Sequence, residues 1–284
     1  MFGISAALLT PFQANGEIDG ARLGHHAKSL LDRGLRGVTL FGTTGEGASI
    51  SAQERALGIQ ALLEAGCAAE SITLGICATS LGDADHQVAE GLGFGITSFL
   101  LLPPYYFKPL DEEGLFDWHM ELFRRVDPKA RFILYNIPQL SGVPLSAALV
   151  GRLAAAAPNR VQAIKDSSGS WESAEAFLAL GTVTVLIGDE RLLHRAVALG
   201  AGGAISGVAN LYPERMAQIV ATATEDAALS AEVTRIVSMP VIPALKVLIA
   251  QQTGDAAWDH LRLPLRALDA TDRARLLQET KAEA

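Results

Sequence analysis

Cysteine is scarce: two in 284 residues, Cys67 and Cys77, cannot build a disulfide framework. Thiols without partners suit a reducing compartment. Clusters of positive charge are missing as well. The 23 Lys and Arg stand against 31 Asp and Glu, the formal charge is −8, and no stretch carries the basic face of a nucleic-acid binder. No apolar run reaches the roughly 18 residues that a membrane helix needs. The longest candidates, 96–107 and 237–250, are broken by prolines or by Lys246. No basic stretch precedes the apolar residues 4–9, as a signal peptide would require. The six histidines show no ligand spacing such as H-E-x-x-H, and no serine sits in a G-x-S-x-G elbow. With 49% hydrophobic and 19% charged residues the chain is rich enough to bury a large core. These absences leave a globular protein expected in the cytoplasm, with neither nucleic acid nor membrane as a partner.

What is present is an alternation. Short runs rich in Ile, Val, Leu and Phe recur at 4–9, 38–41, 72–77, 96–102, 132–136, 161–164, 183–187 and 204–208. Each is bounded by Gly, Pro, Ser or Thr and is apolar at both alternating positions, which suits a strand buried on both faces. Between them, residues 21–33, 52–65, 83–92, 112–126, 146–156, 173–180 and 191–199 carry helical spacing. Ser51 with Glu54 reads as a capping box, and Gly34, Gly66 and Gly200 suit helix ends. Eight strand runs alternating with helices predict an α/β fold, a (β/α)8 TIM barrel. The turn Gly42-Thr43-Thr44-Gly45-Glu46-Gly47 follows a strand but lacks the glycine spacing of a dinucleotide site. Stretches 213–224, 227–239, 240–253 and 263–280 also read as helix, more than closing a barrel requires. The chain is expected to be one unit, with residues 1–211 as barrel strands and catalytic core. Residues 212–284 would then form a closing helix and a C-terminal helical extension.

In such a barrel, reactive side chains belong at the C-terminal ends of the strands. Those positions hold Thr43, Thr44, Tyr105, Tyr106, Tyr135, Asn136, Lys165-Asp166-Ser167-Ser168, Gly188-Asp189-Glu190 and Ser206-Gly207. Three of the four tyrosines fall among them. Lys165 closes the run 161–164, where a strand would deliver it into a dry barrel mouth. Desolvation disfavours an ammonium, and a neutral amine attacks ketones to give Schiff bases. A plainer reading pairs Lys165 with Asp166. Tyr135, on the adjacent strand, can relay the protons that imine formation moves, or can simply fill the barrel top. The Gly42–Gly47 turn offers two hydroxyls, free N–H groups and little bulk, which suits a carboxylate or another small anion. Its alternative is a tight turn in which Thr43 or Thr44 caps a helix. Asp83, Asp85 and His86 read as a helix first turn rather than a metal cluster, and Cys77 as a buried thiol.

Taken together these stretches have a family likeness. Ala7-Leu8-Leu9-Thr10-Pro11-Phe12, Gly42-Thr43-Thr44-Gly45-Glu46, Pro103-Pro104-Tyr105-Tyr106, Tyr135-Asn136-Ile137-Pro138, Ile164-Lys165-Asp166-Ser167-Ser168-Gly169 and Gly188-Asp189-Glu190 appear in order. The chain resembles, over nearly its whole length, the dihydrodipicolinate synthase / N-acetylneuraminate lyase family of class I aldolases. The resemblance implies that Lys165 forms a Schiff base with pyruvate, or with the 2-oxo end of a longer acid, without metal or organic cofactor. It implies that Thr43 and Thr44 hold the carboxylate, that Tyr135 carries protons, and that Gly188 and the Ile205 carbonyl line the pocket. It further implies that Tyr106 reaches into the site of a neighbouring subunit, in a homotetramer built as a dimer of dimers.

Two departures bear on the substrate. Dihydrodipicolinate synthases usually carry an arginine two residues after the proline of Y-N-x-P, and here that position is Leu140. The ending Leu140-Ser141-Gly142 is similar to sialic acid lyases, which bind a glycerol tail with an acidic pair after strand seven. The corresponding positions are Glu190 and Arg191, expected, with His194 one turn later, to meet a polar or anionic tail. The expectation is a class I lyase for reversible aldol cleavage of a 2-keto-3-deoxy sugar acid to pyruvate and an aldehyde. The same iminium serves a 4-hydroxy-tetrahydrodipicolinate synthase-like condensation, or a dehydratase or deaminase of a keto-deoxy or hydroxy-pyrroline acid. A non-catalytic 2-oxo-acid-binding barrel is the alternative of another class.

Overall fold

The computed structural model of the chain describes residues 2–280. Among the described residues eight parallel strands close into a barrel in chain order, the first pairing with the last. They are β1 (Gly3–Ala7), β2 (Gly37–Leu40), β3 (Ile72–Ile76), β4 (Ser98–Leu101), β5 (Arg131–Asn136), β6 (Val161–Asp166), β7 (Thr184–Ile187) and β8 (Gly203–Ser206). The connections carry α1 (Gly20–Asp32), α2 (Ala52–Glu64), α3 (Leu81–Gly93), α4 (Glu112–Arg125), the single turn α5 (Pro138–Ser141), α6 (Ala147–Ala156), α7 (Trp171–Leu178) and α8 (Glu190–Ala198). After the last strand come α9 (Pro213–Thr222), α10 (Ala227–Val237), α11 (Val241–Thr253) and α12 (Ala270–Thr280). This is the (β/α)8 barrel with C-terminal helices that the alternation predicts.

Strand side chains alternate between two apolar layers. Ala7, Leu100, Ile133, Tyr135, Ala163, Leu186 and Ile205 point to the barrel axis and pack on one another. The remaining strand faces, among them Val38, Leu40, Phe99, Leu134, Ile164 and Val185, meet the helices in a far larger layer. At the N-terminal floor the axis turns polar: Ser5 pairs with Thr39, and Ser98 bridges Thr73 and Gln162. Asn210 ties the ring shut, accepting from the Leu9 amide and donating to the Ala7 carbonyl. The capping box at Ser51 and Glu54 forms as the sequence indicates.

One expected element differs. The helix read over 263–280 begins only at Ala270. Pro264 disfavours helical backbone at Leu263 and lacks the N–H a helix interior uses. Residues 261–269 therefore run outside any helix until Asp269 accepts from the Asp272 amide. Residue 1 and residues 281–284 of the expected unit lie outside the described residues.

One buried histidine, His119, and one half-buried, His26, couple this fold to pH. His26 donates to Asn210 Oδ1 and His119 bonds the Leu115 carbonyl, and desolvation by the surrounding protein holds both imidazoles down at about 4. Both are neutral in the native state at neutral pH, while the unfolded chain protonates them near 6.5. Between those values the unfolded state binds more protons, so stability falls as pH drops from about 6.5 towards 4. The loss should approach 3 kcal/mol per histidine, an order-of-magnitude figure. Urea unfolding at pH 7 and pH 4.5 checks this, and His119→Leu should lessen the drop.

Candidate active site

The centre of the barrel mouth is a cross-strand pair. Tyr135 on β5 and Lys165 on β6 are register partners, and both point inward. Lys165 Nζ donates to Tyr135 Oη at 3.2 Å and lies 4.3 Å from the centroid of that ring. Tyr135 Oη in turn is 3.3 Å from Thr43 Oγ1. Lys165 is 4% exposed, so these contacts form away from bulk water. Asp166, the next residue along β6, points to the other side of the strand. Its Oδ1 accepts from Asn136 Nδ2 at 2.9 Å and from the Ser168 amide at 3.1 Å. The Asp166 carboxylate thus braces the ends of β5 and β6 instead of neutralising Lys165.

The Thr43–Thr44 turn is bracketed by two non-glycine residues in left-handed conformations, Phe41 (φ 56°) and Glu46 (φ 57°). Such backbone persists only where surroundings over-determine it. Gly47 is required here, because a Cβ at that position would fall 1.9 Å from the Phe41 carbonyl oxygen. Glu46, fully buried, is held by Lys246 of α11, and its own amide donates to the Thr43 carbonyl at 3.0 Å.

A cavity of about 460 Å³ opens above this group. Thr43, Thr44, Tyr135, Lys165, Gly188 and Ile205 line it, as the sequence reading expects of them. At Gly188 a Cβ would come 1.9 Å from Ser167 Oγ and 2.9 Å from Ser167 Cβ, so a side chain there would displace Ser167. The cavity's polar lining includes Gln139, Ser167, Ser168, Glu190 and Arg191, and its apolar lining Leu140 together with Ile236, Val237, Val241, Ile242 and Leu245 from α10 and α11. Glu190 turns inward: its Oε1 accepts from Ser206 Oγ at 2.5 Å and the Val208 amide at 3.4 Å. Burial pushes its carboxyl up from the usual range. Arg191 reaches the wall but is claimed by its own helix cap, with Nε to Asp189 Oδ1 at 2.9 Å and Nη2 to Oδ2 at 2.6 Å.

Other expected residues lie apart. His194 does not line the cavity. Tyr106 is 77% exposed beside an equally open Phe107 and takes no part in this chain's own site. Tyr105 and Cys77 line a second, largely apolar cavity of about 330 Å³ that shares Thr43, Ile137, Leu140 and Ile242 with the first. Cys77, expected as a buried thiol, is only half-buried because it lines this second cavity, and desolvation pushes its thiol up to about 11. Sequence reasoning missed the wall from α10 and α11, and the Lys246–Glu46 pair. The available signal was Lys246 itself, a lone charge inside an apolar helical run. Among the described residues no group of three or more His, Cys, Asp or Glu could hold a metal ion. No helix of the described residues is long and apolar enough to cross a membrane.

The dihydrodipicolinate synthetase family matches the chain over residues 1–282. The chain belongs to this family. It is therefore an enzyme of the lyase and aldolase type. Among relatives, it is 33% identical to an uncharacterized DapA-like lyase of Chloroflexus aurantiacus, covering 96% of this chain and 94% of the relative. It is 30% identical to a 4-hydroxy-tetrahydrodipicolinate synthase of Methanothrix thermoacetophila, with the same coverages of 96% and 94%. The crystal structure of dihydrodipicolinate synthase from Agrobacterium tumefaciens superposes with a TM-score of 0.96 at 42% identity, covering 99% of both chains. Within this family fold, Glu190 offers a direct electrostatic test. A carboxyl raised by burial favours the folded state below its ordinary value of 4.5 and loses that contribution as pH rises. Glu190→Gln should therefore be more stable than the native protein at pH 8, with the difference fading at pH 4. Urea midpoints at the two pH values check this.

Proposed function

We propose that this protein is a class I lyase that forms a Schiff base between Lys165 and a 2-oxo acid. The observation that carries the reading is the buried contact chain from Lys165 Nζ through Tyr135 Oη to Thr43 Oγ1. In this reading Thr43 and Thr44 receive the substrate carboxylate, and the amine attacks C2. The carbinolamine expels water with Tyr135 moving the proton, and an iminium remains. Breaking the C3–C4 bond sends its electron pair into the iminium to give an enamine, while the C4 hydroxyl proton passes to Tyr135, directly or through the substrate carboxylate. Protonation of the enamine at C3 and hydrolysis release pyruvate and restore the lysine. The iminium is the electron sink, so the scheme calls for no metal or organic cofactor.

The favoured substrate is a 2-keto-3-deoxy sugar acid, cleaved reversibly to pyruvate and an aldehyde. The polar wall of Gln139, Ser167, Ser168 and Glu190 supports a hydroxylated tail. Condensation of pyruvate with aspartate semialdehyde is a second reading, favoured by the relatives named as synthases. Leu140, where those enzymes usually carry arginine, argues against it. Tyr106 is proposed to complete the site of a second subunit, in a homotetramer made of dimers. Its 77% exposure on a single chain supports this role.

Borohydride reduction in the presence of pyruvate, followed by peptide mapping, should place a pyruvyl adduct on Lys165. Lys165→Ala should abolish it, and Tyr135→Phe should slow turnover by about 10²- to 10⁴-fold. No adduct on the native enzyme would remove the basis of the mechanism. A panel of keto-deoxy acids and aspartate semialdehyde then separates the two readings by which one turns over. For Tyr106, co-refolding Lys165→Ala with Tyr106→Phe subunits should give more activity than either alone. Equal inactivity of the mixture would mean that the tyrosine does not cross between subunits.

A further inference from the structure

The C-terminal helices are not needed to close the barrel, yet one of them buries a cation. Lys246 lies in the middle of α11, and its side chain and that of Glu46 are 1% and 0% exposed. Its Nζ donates to Glu46 Oε1 at 2.5 Å and to the His260 carbonyl at 2.7 Å. The second carboxylate oxygen of Glu46 accepts from the Arg262 amide at 3.0 Å. Phe12 lies within reach of both cations, Lys246 Nζ at 4.5 Å and the Arg262 guanidinium at 4.6 Å from its ring centroid. Arg262 is itself tied to Glu54 and to the Gly16 and Ser49 carbonyls. Both carboxylate oxygens of a left-handed residue in the turn after β2 are thus gripped from the C-terminal segment, some 200 residues away in sequence.

Packing alone does not call for a charge at this position. An apolar side chain would fill the space, and replacing a buried ion pair by apolar groups is often neutral or stabilising. What the pair adds is a direction: it holds Glu46 in a backbone conformation that a non-glycine residue seldom adopts. The Glu46 amide is bonded to the Thr43 carbonyl, and the Thr43 hydroxyl stands 3.3 Å from Tyr135. We infer that Lys246 is a positioning residue that, through Glu46, sets the Thr43–Thr44 turn for the carboxylate of the 2-oxo acid. This rests on the reading above that the turn receives that carboxylate. Lys246 touches neither substrate nor reacting atoms. Its effect should appear in affinity for the carboxylate end and spare the amine chemistry.

The test compares two ketones, pyruvate and methyl pyruvate, which differ in the carboxylate charge. Each is trapped on Lys165 by borohydride in the native enzyme and in Lys246→Met. The variant should need about tenfold or more pyruvate for half-maximal trapping, with the saturating rate within about threefold, the loss expected for one misaligned charge-assisted contact. Its half-saturation by methyl pyruvate should not move. A purely structural role would lower the fraction of labelled protein, or shift both ketones alike, and either result overturns the inference. So does unchanged half-saturation by pyruvate. Should Lys246→Met fail to fold, the double variant Lys246→Met with Glu46→Gln leaves no unpaired buried charge and should keep the pyruvate-specific shift. Absence of any adduct on the native enzyme overturns the Schiff-base reading, and the inference with it. A shift confined to neither ketone overturns the inference alone.

Discussion

The pairing of β5 with β6 governs everything at the barrel mouth. At the bottom of the pair Phe132 faces Val161, but Ile133 faces Ala163, so one extra residue of β6 is accommodated there. Above that irregularity Tyr135 comes level with Lys165 and Asn136 with Asp166. Had the lower register simply continued, Tyr135 would stand opposite Ile164, and the amine would sit one step away from its phenol. Strand side chains alternate with a period of two, so a single inserted residue decides which of them meet. The same alternation sends Lys165 inward and Asp166 outward, giving the two neighbours separate tasks. One faces the cavity, and the other fastens the strand ends through Asn136 and Ser168.

Opposite that pair, the Thr43–Thr44 turn is shaped by constraint from several directions. Phe41 and Glu46, both left-handed, bend the backbone tightly enough that a side chain at Gly47 would strike the Phe41 carbonyl. Thr10 Oγ1 holds the Gly45 carbonyl at 2.7 Å, and the C-terminal segment holds Glu46. A turn so restrained keeps its hydroxyls in place, which under the proposed function would lower the ordering cost of binding the carboxylate. The barrel and its extension therefore meet at the site itself, since α11 supplies both Leu245 in the cavity wall and Lys246 behind the turn.

The polar end of the cavity is quieter than its composition suggests. Arg191 is already paired with Asp189, and one carboxylate oxygen of Glu190 accepts from Ser206 and Val208. What remains open towards the tail of a substrate is mostly amide and hydroxyl together with aliphatic surface. Under the proposed function, discrimination between tails would fall to shape and to hydrogen bonds at this wall. This fits a fold in which the strands supply shared chemistry and the surrounding loops and helices supply selectivity.

Much of this was legible from the amino acids alone. Buried strands separated by amphipathic helices announce themselves by local period, so the barrel, the strand ends and the residues standing on them followed directly. Lys165, Tyr135, Thr43 and Thr44 were recognisable because each closes a strand or opens a turn, and that depends only on near neighbours in the chain. The start of α12 differs from the sequence expectation, because helical spacing continues past Pro264 where the backbone cannot follow. The capture of Arg191 by Asp189 and the apolar wall from α10 and α11 were invisible, since composition does not reveal which way a side chain turns. In the sequence Lys246 is only a break in a hydrophobic run. Its partner Glu46 stands 200 residues earlier, and only closure of the barrel brings them together. Local periodicity determined the elements and which residue types stand at their ends. Contacts between distant segments, which no short-range pattern encodes, decided how those residues are aimed.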